Sequence, residues 1–279
     1  MQDQIASRTA LATAYLRAAH QILDAKPLIL NDPVALILLG PDAEKRIQDA
    51  VDRYMAPEAK ALRSHVVLRS RYAEERLKSS IERGVSQYII VGAGFDTFSI
   101  RQPAWAAHLR IIEVDHPDTQ HLKQTRISDA RIPVPGNVVF ADINFENESL
   151  EEGLIRNGIR SDEPTFFSWL GVTMYLIEPA IDTTLKCMAK YPIGSEAVIT
   201  FRQPPSAQSS ESSQLSDLVS EAGEPFISYF TPENFKGKLL ETGFVKVEFL
   251  TSALSAQYFR GGEDSLPNPK RISIASAIV

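Results

Sequence analysis

The stretch Ile89–Asp96, which reads Ile-Ile-Val-Gly-Ala-Gly-Phe-Asp, decides the fold. Its apolar residues are typical of a buried strand, and that strand runs directly into a Gly-x-Gly turn. Because glycine has no Cβ, such a turn lets the backbone pass close to a ligand. Structural turns use the same pattern, so this motif alone leaves a ligand role open.

The next predicted strand, residues 110–114, ends at Asp115, which lies 21 residues after Gly94. This spacing suits an acid that binds the two hydroxyls of a ribose. Glu113 lies two residues earlier and faces the same side of the strand. We interpret Glu113 as a solvated acid at the strand end and assign the ribose contact to Asp115.

A third predicted strand, residues 137–140, ends just before Asp142. The Asp142 carboxylate can accept a hydrogen bond from an adenine amine, and the next backbone N–H, that of Ile143, can donate to a ring nitrogen. Taken alone, Asp142 is more typical of a turn or helix cap. A Gly-x-Gly turn and two acids at successive strand ends together predict a ligand site at the carboxyl edge of a parallel sheet.

The remaining pattern predicts an α/β fold. Apolar runs at 165–169 and 196–201 add two parallel strands, and runs at 244–250 and 271–278 predict a closing antiparallel pair. The first 85 residues follow helical periodicity, including a long helix over 57–83. We therefore predict an N-terminal helical cap, residues 1–85, and a core, residues 86–279, with a serine-rich, lid-like insertion at about 203–230.

Composition excludes several functional classes. The 279 residues are 44% hydrophobic and 23% charged, with a net charge of −6, so no general basic surface predicts a nucleic-acid or membrane partner. The single cysteine, Cys187, forms no internal disulfide and leaves no cysteine cluster for a metal. The longest apolar run, Val34–Leu39, is too short to cross a bilayer, and Met1–Gln4 lacks a basic signal region. We expect a cytoplasmic protein.

The sequence resembles the leucine carboxyl methyltransferase-like branch of the class I S-adenosylmethionine methyltransferases. The resemblance covers nearly the whole chain, and Gly-Ala-Gly-x-Asp-Thr together with Glu-x-Asp-x-Pro is fairly specific. The residues that carry it are Leu68–Glu74, Val91–Thr97, Glu113–Pro117, Ala141–Ile143 and Trp169–Leu176, with Thr9-Ala10, Arg17-Ala18 and Asn31–Pro33 nearer the N-terminus.

The resemblance implies a Rossmann-like, mostly parallel seven-stranded sheet with an N-terminal helical extension, and S-adenosylmethionine as the cofactor. It places the methionine part of the cofactor against Gly92 and Gly94 and its carboxylate on Arg69 or Arg71, a choice that the motif leaves open. The planar guanidinium of an arginine suits that task because it pairs with both carboxylate oxygens. It also implies ribose binding by Asp115 and adenine contacts from Asp142 and Ile143.

One departure separates the chain from the relatives that methylate a protein phosphatase. Those relatives have an acid where this chain has Leu170, so the cofactor contact of Leu170 is in question, and so is a protein substrate. Other relatives methylate carboxyl or hydroxyl groups of small molecules, including aromatic polyketides. We therefore favour an O-methyltransferase acting on a small molecule, with secondary metabolites among the candidate acceptors, over a protein C-terminal carboxyl methyltransferase.

Two other classes remain as alternatives. A nicotinamide oxidoreductase is disfavoured because Thr97 stands where the dinucleotide motif has its third glycine. A non-catalytic cofactor-binding protein on the same fold is kept because of Leu170. The sequence does not specify an oligomeric state.

The sequence names no catalytic base. A carboxylate acceptor is ionised at neutral pH and needs none, whereas a hydroxyl acceptor usually requires one, most often a histidine. We place the acceptor between the N-terminal helices and the 203–230 segment, with Phe226, Tyr229 and Phe230 as candidate lining residues. The candidate bases are His20, His65, His108, His116 and His121.

Overall fold

The computed structural model describes residues 8–145, 147–205, 226–259 and 265–279. Its strands form one seven-stranded sheet in the order β3-β2-β1-β4-β5-β7-β6, in which β7 pairs antiparallel with both of its neighbours. The strands are β1 (Gln87–Val91), β2 (Arg110–Asp115), β3 (Val138–Asp142), β4 (Thr165–Trp169), β5 (Glu196–Thr200), β6 (Lys246–Phe249) and β7 (Ile274–Ile278).

Helices surround this sheet and precede it. The N-terminal helices are α1 (Arg8–Leu23), α2 (Pro33–Leu38), α3 (Ala43–Asp49), α4 (Val51–Met55) and α5 (Pro57–Ile81). Between and after the strands lie α6 (Phe98–Arg101), α7 (Pro117–Asp129), α8 (Leu150–Arg156), α9 (Glu178–Ala189), α10 (Pro232–Thr242) and α11 (Ser252–Ser255). The predicted α/β class, the mostly parallel sheet and the closing antiparallel pair are confirmed.

The two faces of the sheet bury separate apolar clusters because successive side chains of a strand point to opposite sides. Ile89 and Val91 of β1 pack in one cluster with Phe167 and Trp169 of β4. Ile90 and its neighbours pack in the other, beneath α5. Burial on both faces explains why the strands read as continuous apolar runs, and it holds the β1 end in place beneath the Gly-x-Gly turn.

A buried carboxylate joins the N-terminal helices to the sheet. Asp32 is fully buried and accepts a hydrogen bond, 2.6 Å long, from the hydroxyl of Thr97. Thr97 follows shortly after the glycine turn in the sequence. Asp32 also pairs with Arg17 of α1, Nε to Oδ2, at 2.9 Å. Burial disfavours ionisation of Asp32, but the charges of Arg17 and Arg101, with the Thr97 hydrogen bond, outweigh it and lower the pKa of Asp32.

We expect Asp32→Asn to lower the free energy of unfolding by about 2–3 kcal/mol, because it leaves the buried Arg17 without its counter-charge. The lowered pKa gives the sign of the pH dependence: the wild-type contribution is complete above the unfolded-state pKa of about 4 and is lost as pH falls through the folded-state value. Urea titrations between pH 3 and 7 measure both effects. Asp162→Asn, in an exposed pair with Arg160, is the control and should change little. Equal losses in the two variants would contradict this role of Asp32.

The predicted domain boundary near residue 85 stays a prediction. Most of the predicted insertion, residues 206–225, lies outside the described residues. Its described flank Phe226–Phe230 is tied to the core: Ile227 N donates to Met174 O at 2.7 Å, and Phe230 N donates to Arg202 O at 2.8 Å. Among the described residues, no helix is long and apolar enough to cross a membrane.

Candidate functional site

The carboxyl ends of β3, β2, β1 and β4 meet at one edge of the sheet. There Asp142 lies in register with Asp115, and Val91, just before the glycine turn, lies in register with Val114 and Trp169. A cleft of about 220 Å³ opens at this edge. Residues from β1, β2, the turn after β4, and α5 line it, including Arg69, Gly92, Gly94, Asp115, Leu170 and Tyr175.

Backbone conformation and packing within the protein both call for glycine at the two glycine positions of the turn. Gly92 and Gly94 have φ values of +67° and +49°, in the left-handed region that other residues rarely adopt. A Cβ on Gly92 would overlap Cγ2 of Val172, and one on Gly94 would lie 3.0 Å from the Ala10 Cβ of α1. The missing side chains therefore let the turn after β4 and helix α1 approach the cleft from two sides.

We expect Gly92→Ala to lower the free energy of unfolding by about 2–3 kcal/mol, because left-handed backbone strain and the overlap with Val172 add. Gly158→Ala is the matched control, since Gly158 has a φ of +64° but no atom lies within 4 Å of the position that its Cβ would take. Gly158→Ala therefore measures the cost of the left-handed backbone conformation alone. Adding Val172→Ala to Gly92→Ala should recover part of the loss. Equal thermal shifts for the two glycine variants would rule out the steric part of this explanation.

Asp115 lies at the end of β2 with its carboxylate directed to the glycine turn. Oδ2 accepts from Gly94 N at 2.5 Å, and Oδ1 accepts from His116 N at 2.7 Å. Burial raises the pKa of Asp115, although both amide hydrogen bonds act in the opposite direction. Each carboxylate oxygen keeps a second lone pair, so the group can still accept from two ligand hydroxyls.

The interpretation of Glu113 as a solvated acid is wrong. Glu113 is fully buried, and its carboxylate pairs with Lys123 of α7 and accepts from the Ser99 hydroxyl. The long Lys123 side chain returns from the following helix and supplies the counter-charge that a buried carboxylate requires. Glu113 therefore stabilises the β2–α7 packing, and Asp115 is the carboxylate of this pair that lines the cleft.

Asp142 and Ile143, the two residues predicted to contact the adenine, lie at the carboxyl edge of the sheet, but their surroundings differ from those the sequence predicts. Asp142 is exposed, and its register with Asp115 places it at the β3 end of the cleft edge. Ile143 packs in the core, and its N–H already donates to Asp115 O at 2.9 Å. That N–H is used by the sheet ladder, so the predicted hydrogen bond from Ile143 to an adenine nitrogen is wrong. Ser149 caps α8, which leaves Asp142 without a helix-capping role there.

The two candidate arginines of α5 occupy different environments. Arg71 lies on the exposed face and pairs with Glu75 at 2.7 Å, so it does not enter the cleft. Arg69 lines the cleft against Gly171, where an added Cβ would lie 2.6 Å from Nη1. Among the described residues Arg69 has no hydrogen-bond acceptor or ion-pair partner. Burial first, and then the charge of Arg17, lower its pKa to about 10, with Tyr175 and Asp96 opposing.

Sequence reasoning missed the supporting residues of the site. Thr97 donates its hydroxyl to Asp32, which explains why this position is not the third glycine of a dinucleotide motif. Arg17 donates to Phe95 O in the turn and lines the cleft. The conspicuous Asn31–Pro33 and Arg17-Ala18 motifs are the signals that point to these residues. Leu170 is half-buried at the cleft wall and packs with the apolar cluster beneath α5.

The candidate histidines are distributed around the molecule. His20 is buried between Asp24 and the N–H of Leu30, and its role is structural. His116 caps α7 at the cleft rim. His65 lies beside Arg69 and Arg202, whereas the remaining two candidates are exposed on the surface. The described residues contain no group of three or more potential metal ligands.

This arrangement agrees with the comparison to known families. The profile of the leucine carboxyl methyltransferase family matches residues 10–189, which include most of α1, the helices and strands up to α9, and all the residues lining the cleft except Thr9. The chain belongs to this family. Membership makes it an S-adenosylmethionine-dependent methyltransferase, and S-adenosylmethionine is its cofactor.

The chain is similar in sequence to several bacterial proteins. YktD of Bacillus subtilis, provisionally named as an S-adenosyl-L-methionine-dependent methyltransferase, is 28% identical, and the alignment covers 95% of each chain. A similarly named Parafrankia protein is 29% identical over 61% of this chain and 54% of its own.

Solved structures share the fold of this family member. A protein from Thermobifida fusca, provisionally named a methyltransferase, matches with a TM-score of 0.58 at 16% identity and covers 95% of this chain and 93% of its own. A DUF574 family protein of Streptomyces avermitilis matches with a TM-score of 0.57 at 16% identity and covers 87% and 93%. The expected methyltransferase-like sheet is confirmed.

The cleft residues fit the cofactor. In the cleft, the Asp115 carboxylate of β2 lies beside the glycine turn after β1, and the Arg69 guanidinium, which has no partner among the described residues, lies against Gly171 after β4. Asp142 of β3 is exposed at the same edge of the sheet but is not one of the residues that line the cleft. Four adjacent strands span about 14 Å. A nucleoside joined to an amino acid offers hydroxyl donors and a carboxylate, and an aspartate and an arginine are suitable partners for these two groups.

Proposed function

We propose that the protein transfers the methyl group of S-adenosylmethionine to a carboxyl or hydroxyl oxygen of a small molecule. The observation that carries this proposal is the presence of two groups in one cleft: a half-buried carboxylate that can still accept hydrogen bonds, Asp115, and a guanidinium without a partner among the described residues, Arg69. Asp115 would accept hydrogen bonds from the ribose hydroxyls of the cofactor, and Arg69 would pair with the carboxylate of its amino-acid part.

The cleft residues would act mainly by positioning. The cofactor supplies an electrophilic methyl group on a sulfonium. Asp115 would orient the ribose, and Arg69 would bind the carboxylate, so the methyl group would be held in one direction. Fixing two reactants in line contributes about 7–11 kcal/mol toward lowering the barrier. Asp142 would contact the adenine from the edge of β3, and Leu170 would contribute apolar surface only.

A small-molecule acceptor is favoured over a protein terminus because Leu170 stands where the phosphatase-methylating relatives carry an acid. The acceptor would be a small acid, phenol or alcohol, such as an intermediate of secondary metabolism.

The test is methyl transfer from methyl-labelled S-adenosylmethionine to panels of small carboxylic acids, small phenols and alcohols, and peptides with a free C-terminus. We expect label in the small molecules. Mild base separates the products, because methyl esters release methanol and methyl ethers do not. Transfer to peptides alone would favour a protein carboxyl methyltransferase. Cofactor binding without transfer to any acceptor would favour a non-catalytic protein.

A further inference from the structure

A second cationic group lies next to the cofactor cleft and takes no part in binding the cofactor as proposed. Arg202 follows β5, whose carboxyl end lies at the same edge of the sheet as the cleft. Its guanidinium carbon stacks 4.0 Å from the ring centroid of Phe226. The Phe226 ring lies 5.5 Å from that of Tyr175, which lines the cleft. Tyr175 thus connects the cleft to Arg202.

Arg202 is held in place by its surroundings but is not neutralised by them. Its carbonyl accepts from Phe230 N, which fixes the backbone, and its guanidinium interacts with the Tyr229 hydroxyl. Its buried Nε has no acceptor among the described residues. No carboxylate of the described chain forms an ion pair with it. A partly buried cation of this kind is stabilised by an anionic ligand, and its planar fork suits a carboxylate.

His65 adds to the same environment. Burial, and then the charges of Arg69 and Arg202, lower the pKa of His65 to about 3, so the ring is neutral at physiological pH. Such a weak base does not remove a proton from a phenol or alcohol efficiently. A carboxylate acceptor needs no base, because it is already ionised. The charges around this position therefore favour an acid over a hydroxyl compound.

We propose that Arg202, stacked on Phe226 beside the cofactor cleft, binds the carboxylate of the methyl acceptor, which makes the acceptor a small organic acid and the product its methyl ester. This inference rests on the proposed function. One carboxylate oxygen attacks the sulfonium methyl carbon, and the carbon–sulfur bond breaks with its electron pair passing to sulfur. An ester and a thioether result, with no proton transferred. The neutral ester no longer pairs with Arg202, which favours its release.

The test uses calorimetry on the full-length protein saturated with S-adenosylhomocysteine. The probes are benzoate, phenylacetate, cinnamate and the C4–C10 aliphatic monocarboxylates, each compared with its primary amide. We expect at least one acid to bind about 30-fold more tightly than its amide, and Arg202→Gln to remove that preference. Arg71→Gln, which removes an exposed arginine outside the cleft, should leave it unchanged.

Arg202→Lys is a control for misfolding, because it keeps the positive charge but lacks the planar guanidinium. This variant should retain the wild-type melting temperature while losing most of the preference for acid over amide. If no acid binds better than its amide, or if the preference survives Arg202→Gln, the inference is overturned. Titration of S-adenosylhomocysteine alone tests the proposed function separately. Its failure to bind the wild-type protein would overturn that function, whereas binding with no acid preference would overturn only the role of Arg202.

Discussion

Asp115→Ala will weaken the binding of S-adenosylhomocysteine by about 1,000-fold, because two hydrogen bonds from ribose hydroxyls to a charged acceptor contribute about 1.5–3 kcal/mol each. Glu113 cannot replace it, since that carboxylate is buried in its pair with Lys123. Asp115→Asn should lie between wild type and alanine, because an amide keeps one acceptor oxygen. Isothermal titration of the three proteins measures the series.

The stability of these variants distinguishes lost binding from lost folding. Burial raises the pKa of Asp115, so its ionised form is less favourable in the folded state than in the unfolded state at neutral pH. Asp115→Asn removes this unfavourable charge but sets an NH₂ group against one of the two backbone N–H donors, so the two effects should largely offset each other in the melting temperature of the ligand-free protein. Asp118→Asn, at an exposed carboxylate on α7, is the matched control and should bind normally. Unchanged affinity in Asp115→Ala would contradict the assigned ribose contact.

Arg69→Gln will weaken S-adenosylhomocysteine binding by about 100-fold or more, because it removes the partner of the ligand carboxylate in a partly desolvated site. Arg71→Gln provides a comparison from the same helix, since Arg71 pairs with Glu75 on the exposed face, and it should leave the affinity unchanged. Methylthioadenosine lacks the amino-acid carboxylate and should bind wild type and Arg69→Gln equally.

Stability again gives an independent check on Arg69. A lowered pKa, here about 10, means that the folded state disfavours the charged form of Arg69. Removing the charge should leave the ligand-free protein at least as stable as wild type. A loss of methylthioadenosine binding equal to that of S-adenosylhomocysteine would place Arg69 somewhere other than at the carboxylate.

The parts of the molecule that can be predicted from sequence depend on local or periodic features. Strand patterning, the left-handed glycines and the helix cap at Thr231 are such features. Thr231 begins α10 by accepting a hydrogen bond from Asn234 N, and Gly243 ends that helix with a φ of +119°; a threonine before proline and a closing glycine are typical of such helix ends. Asp115 can be placed because strand ends at one edge of a parallel sheet share a cleft.

The errors concern tertiary partners that no spacing reveals. The prediction for Glu113 fails because its counter-charge, Lys123, comes from the next helix. The prediction for the Ile143 N–H fails because the register between β2 and β3, which uses this group, is not visible in the sequence. Arg69 and Arg71 are equivalent in sequence, and only the packing of α5 against the turn after β4 separates them. Arg202 carries no motif and becomes visible only through its aromatic neighbours.

A crystal structure of the protein with S-adenosylhomocysteine tests the placement of the cofactor in the cleft. We expect the ribose hydroxyls within hydrogen-bond distance of the Asp115 carboxylate and the ligand carboxylate paired with Arg69, with the glycine turn between them. A ligand bound in this cleft in the reverse orientation, or bound elsewhere on the protein, would contradict it.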